Sequence, residues 1–196
     1  MSTLLPASCQ TALKEWASVV HAFARGEQLV LIRKGGLADA TRGFEIVSKQ
    51  FVFYPTFEHQ TVNFIRQPYR QYLDHALAQR PAEDQLRLEL GGLVVSSTSV
   101  HDSALISRLE PVHIYNDAFL EQRLRWQPDQ PLVVVVVRAF RLPSPKFLPV
   151  ASRYAGCKSW VELEQPIPLH GATPVLDDKA FDERLKHVQT ILVGSP

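Results

Sequence analysis

Hydrophobic residues recur along this chain with two periods, and the switches between them divide it into elements. In "TALKEWASVVHAFARG" the apolar positions Leu13, Trp16, Ala17, Val20 and Phe23 or Ala24 share one helical face, and Gly26 is a natural stop. "QLVLIRK" follows as a strand too apolar to be exposed on both faces. "FEIVSKQFVFYP" predicts two short strands or one bulged strand, ended by Pro55. "QPYRQYLDHALAQR" predicts a helix with Tyr69, Tyr72, Leu73 and Leu77 or Ala76 along one side, stopped by Pro81. In "DQLRLELGGLVVSSTSV", Leu86, Leu88 and Leu90 alternate with polar or charged residues, the pattern of a half-buried strand, and Gly91-Gly92 suggest a bulge or bend.

The second half continues in the same way. "VHIY" is expected to be extended, and Asn116 or Asp117 caps a helix over "DAFLEQRLRW". The five valines of "PLVVVVVRAFRLP" predict a buried strand, because β-branched side chains suit a pleated interior. A Pro-rich crossing, "LPSPKFLPVASRY", leads to "GCKSWVEL". A C-terminal helix over 177–193 carries the stripe Phe181, Leu185, Val188 and Leu192. Strands and helices alternate without a βαβ rhythm. The expected fold is therefore α+β: a single domain, 1–196, on a mixed, partly closed sheet with flanking helices, after a flexible N-terminus at 1–10.

Composition narrows the function classes. With 45% hydrophobic and 21% charged residues the chain is an ordinary globular domain, and no apolar run is long enough to span a bilayer. Met1–Gln10 lacks the pattern of a signal peptide, and two cysteines make no disulfide framework, so a cytoplasmic setting is expected. The net charge of +1, from 21 basic and 20 acidic residues, argues against non-specific nucleic-acid binding. Any anion site must be local.

Three segments offer such chemistry. In "LVLIRKGGL" a strand delivers Arg33 and Lys34 onto Gly35 and Gly36. Glycine accepts positive φ, so successive N–H groups there can form a nest, and the two cations make phosphate the natural ligand. The competing reading is a turn whose cations lie on opposite strand faces, one solvated and one paired with Glu45. In "YPTFEHQ", Thr56, Glu58, His59 and Gln60 follow a strand end, where Glu58 or His59 is placed as a general base and Glu58 or Gln60 as a reader of a base edge. The plain alternative makes Thr56 a cap and leaves the other side chains solvated. In "YAGCKSWVEL", Lys158 and Ser159 offer phosphate contacts and Trp160, or Tyr54 from the previous segment, a stacking face, against the commoner role of a buried tryptophan as core. Cys157 has no CxxC partner and the histidines are scattered, so neither a metal nor a cofactor is expected.

The blocks "LKEW", "GEQLVLIRKGGL", "FVFYPTFEHQ", "PLVVVVVRAFRL" and "YAGCKSWVEL" occur in an order that resembles a bacterial family known as domain of unknown function 1802, from about Leu13 to Leu163. That family often has an Ile and a nearby acid after the glycines, where this chain has Leu37, Ala38 and Asp39. The resemblance implies a link to restriction or DNA handling and an endonuclease-type partner protein, without a mechanism. The opening helix, the "G-x-Q" strand ending in Arg33 and the late apolar strand are also similar to PUA and ASCH pseudo-barrels, which implies recognition of bases or RNA. Two functions from different classes result. One is a module binding nucleic acid or a nucleotide through Arg33, Lys34, Gly35, Gly36, Gln60, Lys158, Ser159 and Trp160. The other is a metal-independent hydrolase or nuclease using Glu58 or His59. A third is a structural interaction protein. The sequence names no reaction.

Overall fold

The computed structural model describes residues 5–34 and 44–193. Seven strands form one sheet in the order β2 (Val30–Arg33), β5 (Leu132–Pro149), β4 (Gln85–Val100), β3 (Gln50–Thr56), β1 (Ser8–Trp16) and β6 (Trp160–Pro168), with β7 (Thr173–Pro174) also on β5. β1 and β3 run parallel and every other pairing is antiparallel, so the sheet is mixed. It is open, with β2 and β6 at its two ends. Helices α1 (Ala17–Ala24), α2 (Gln71–Ala78), α3 (Ser103–Ser107), α4 (Asp117–Arg125) and α5 (Asp178–Val193) are dispersed among the strands, the arrangement of an α+β domain. No described helix is long and apolar enough to cross a membrane.

The apolar alternation of β3 explains how the sheet is buried. Phe51 and Phe53 join one cluster with Phe23, Leu31, Val135 and Phe181, while Val52 and Tyr54 join a second with Leu88, Tyr154 and Leu163. Of the five valines, Val134 to Val137 are buried and Val133 is half-buried, so this strand is central and covered on both faces.

Four expectations are corrected. Thr11–Trp16 is strand, not helix, because pairing with both β3 and β6 outweighs a helical spacing of apolar residues; α1 begins only at Ala17. Ser8–Gln10, expected in a flexible N-terminus, open that strand. The Pro-rich crossing belongs to β5. Its register jumps from Arg141↔Leu90 to Lys146↔Leu88, so Pro143 and Pro145 lie in an irregularity where no ladder donor is required. Gly91 and Gly92 are no bend, since both pair regularly with β3 and β5; a Cβ on Gly92 would sit 2.4 Å from the Phe51 ring, so that position needs glycine for close packing.

Candidate ligand-binding cavity

The first two segments singled out in the sequence meet different fates. Arg33 does not pair with Glu45. Its guanidinium donates to the buried carboxylate of Glu15 at 3.0 Å and to the Lys14 carbonyl at 3.2 Å, and it lies 5.1 Å over the Phe44 ring. Lys34 is buried, and its ammonium donates to the Leu124 carbonyl at 3.0 Å. Both cations therefore turn inward rather than toward a ligand. Gly35 and Gly36 lie outside the described residues. Gln60 accepts the Ser18 N–H at 3.2 Å, so it caps the start of α1 from a distant loop instead of facing a base. His59 is exposed, with φ at 61°. No hydrogen bond joins Lys34, Glu45 and His59.

The "GCKSW" segment reaches Arg33 indirectly, and its packing against the two glycines lies outside the described residues. Phe44 lies between the segment and Arg33: Trp160 stacks on it at 6.1 Å, and the Trp160 indole donates to the Glu45 carbonyl at 2.9 Å. Phe51 meets the same indole edge-on at 5.6 Å, which makes Trp160 part of the packing. The Ser159 carbonyl accepts the Lys14 N–H at 2.9 Å, and Lys158 is exposed. The two segments converge through Lys14, which neither contains.

Lys14 opens onto a cavity of about 520 Å³. The strand end of β3 supplies one wall through Tyr54, Thr56 and Glu58. Helix α1 supplies a floor through Ala17, Val20, His21 and Ala24, which recur at helical spacing, α2 adds Ala76, and the residues just after it add Gln79 and Arg80. Three alanines on facing helices leave the space. The start of β4 and the segment around Tyr154 to Gly156 close the other side.

Several of the polar groups are held in place. The Lys14 ammonium donates to the carbonyls of Tyr154 and of Gly156, the latter at 3.0 Å, and lies 5.6 Å from the Tyr54 ring centroid. Register pairing of Lys14 with Tyr54 across the parallel strands fixes that approach. Tyr54 and Tyr154 meet edge to face at 6.0 Å, and the Tyr154 hydroxyl accepts the Glu164 N–H at 2.8 Å. Arg80 lies 5.2 Å over Phe57, and Arg87 is ion-paired with Glu89. Thr56 donates to the Glu15 carbonyl at 3.2 Å, tying this wall to the Arg33 pair behind it.

The family model for a domain of unknown function, DUF1802, matches residues 12–187. The chain belongs to the DUF1802 family. No curated protein matches it. Among solved structures it is similar to a mutant of the ZmASCH protein from Zymomonas mobilis, at 11% identity and a TM-score of 0.45, over 93% of this chain and 97% of that one. Values of that size assign neither fold nor activity.

Burial tunes the cavity's ionisable groups. It pushes the Lys14 ammonium below the usual lysine range, partly opposed by the Glu58 carboxylate, and raises the Tyr54 phenol. It also lowers His21, and the neighbouring His75, Arg25 and Arg141 add to that effect. Among the described residues no group of three or more His, Cys, Asp or Glu is placed to hold a metal ion. Of the described residues singled out from sequence for a site, Tyr54, Thr56 and Glu58 line the cavity, and Arg33, Lys34, His59, Gln60, Lys158, Ser159 and Trp160 do not. Lys14, His21, Arg80 and Tyr154 were missed. Lys14 had one signal, a lone lysine inside the "LKEW" block, and the helical reading of that block concealed which way it points.

Proposed function

We propose that this domain binds a nucleobase, carried by a nucleotide or a nucleic-acid strand, in the cavity beside Lys14. The observation that carries the reading is the cavity's composition. Three aromatic residues (Tyr54, Phe57 and Tyr154) line a space of about 520 Å³ together with the Lys14 ammonium and the carboxylates of Glu58, Glu83 and Glu89. A flat heterocycle needs ring contacts for its faces and a few donors and acceptors for its edge. Lys14 supplies donors and Glu58 acceptors. Near-neutral net charge suits a pocket with few phosphate contacts.

Calorimetric titration with the four ribonucleoside 5′-monophosphates and with short single-stranded RNA and DNA tests this. Saturable binding to at least one, weakened by Glu58→Gln and by Phe57→Ala, is the expected outcome. Absence of binding across the whole set would end the proposal. A second reading, hydrolysis of the bound group, is favoured by Lys14 and Glu58 lining the same cavity. Glu58 would take a proton from water and Lys14 would stabilise the developing oxyanion. Product analysis of the same ligands after prolonged incubation separates binding from turnover.

A further inference from the structure

The far end of the cavity, along α1 from Lys14, has a chemistry that base recognition does not use. His21 lines it, 5.5 Å from the ring of His75 on α2 and 5.0 Å from that of Tyr72. Arg25, one turn beyond, lies 5.9 Å over Tyr72. Arg141 reaches across from β5 and donates to the carbonyl of Ala24, itself a lining residue. Four basic side chains thus gather on three elements, and among the described residues no carboxylate forms an ion pair with any of them. The His21 Nε2 is buried and has no hydrogen-bond partner.

Helix ends explain part of this cluster. His21 and Arg25 lie at the end of α1 and His75 in the last turn of α2, where a helix end carries roughly half a negative charge. Two such ends offset about one charge. Arg25 and Arg141 bring two, and either imidazole adds another when protonated, so the end of the cavity stays positive. Arg87, across the cavity on β4, is already neutralised by Glu89.

We propose that this end is a phosphate subsite, so that the cavity takes a phosphorylated nucleotide rather than a free nucleoside. His21 lines the subsite, with Arg25, Arg141 and His75 behind it providing the surrounding positive potential. This rests on the base-binding reading for the other end. The rise along α1 from Ala17 to Ala24, about 10 Å at 1.5 Å per residue, separates the two ends on the scale of a nucleotide. Phosphate monoesters and the diesters of a strand share the chemistry.

Histidine ring resonances followed by NMR, with inorganic phosphate as the first probe, test the subsite on the full chain. Phosphate should shift the His21 and His75 signals saturably and raise the His21 titration midpoint, because an anion stabilises the imidazolium. Nucleoside monophosphates should bind about tenfold or more tightly than the matching nucleosides, as a charged hydrogen bond predicts. His21→Gln and Arg141→Gln should each shrink that ratio. A five-nucleotide strand binding more tightly than any monophosphate would identify the diester as the source, and the reverse the monoester. If phosphate leaves His21 unmoved, or nucleosides equal their monophosphates, the subsite is refuted while base binding stands. If phosphate binds at His21 and nucleotides bind no better than phosphate, the subsite stands and base binding falls.

Discussion

Lys14 and Glu15 are neighbours on β1, yet they serve opposite sides of the sheet. Glu15 faces the packed side, where one carboxylate oxygen accepts from Arg33 and the other from the Trp16 N–H at 2.8 Å. Tyr115, Phe119 and Trp16 form an aromatic group on that side, and Arg123 lies 5.0 Å over Phe119. Lys14 faces the cavity, where backbone carbonyls hold it and a ligand-sized space remains in front of it. A strand turns successive side chains to opposite faces, so adjacent charges can acquire unrelated tasks. On the packed side charge serves architecture, and on the open side it is available for recognition.

If that contrast is right, the packed side should carry the largest stability effects. Arg33→Ala leaves the buried Glu15 carboxylate without its cation, and is expected to cost about 3–5 kcal/mol. Equilibrium urea unfolding measures it. A loss below about 1 kcal/mol would place Arg33 among exposed surface charges instead.

His113 gives the packed side a pH dependence. It is almost fully buried, its Nε2 is 3.3 Å from the Ile106 carbonyl, and burial pushes its pKa down to about 4. The unfolded chain titrates near the ordinary value of 6.5 and so takes up the proton first. The stabilisation is present above pH 6.5 and is lost as pH falls toward 4, about 3 kcal/mol in all. Urea midpoints measured across that window should fall steeply in the wild type and less so in His113→Gln. Parallel curves would remove His113 as the cause.

Cavity charges should behave in the opposite manner. Glu58 and Arg80 are exposed, so Glu58→Gln and Arg80→Ala are expected to change stability by no more than about 0.5 kcal/mol. Each should weaken nucleotide binding, by about 1–3 kcal/mol where a charged hydrogen bond is lost. Paired unfolding and titration experiments on the same variants check both halves.

The sequence carried most of the fold and little of the cavity, for a physical reason. The valine strand, α2, α4 and α5 were legible because their apolar residues repeat at one period, and α4 and α5 also bear caps: Asn116 accepts the Phe119 N–H and Asp177 the Ala180 N–H. β1 was misread because Leu13, Trp16 and Ala17 satisfy helical spacing by coincidence, and its partners β3 and β6 lie far along the chain. The Arg33 pairing was hidden for the same reason: nothing local marks Glu15 as its counterion. A cavity is a long-range property. Its floor consists of Ala17, Ala24 and Ala76, whose small size is a signal only once α1 and α2 are known to face each other.

The smallest stability effect makes the sharpest comparison, because it places one substitution on both sides of one helix. Ala22 and Ala24 are two residues apart on α1. Ala22 is fully buried against the core, whereas Ala24 lines the cavity. Ala22→Leu forces three extra carbons into close-packed space and should cost about 1–3 kcal/mol. Ala24→Leu adds the same atoms to an open volume, where no neighbour has to move, and should leave the unfolding midpoint within about 0.5 kcal/mol of wild type. The leucine would project into the proposed phosphate end of the cavity, so nucleotide binding should fall at least tenfold while the fold is unchanged. Retained binding in a stable Ala24→Leu protein would move the ligand off this floor; equal destabilisation by both substitutions would mean that the cavity is packed in solution.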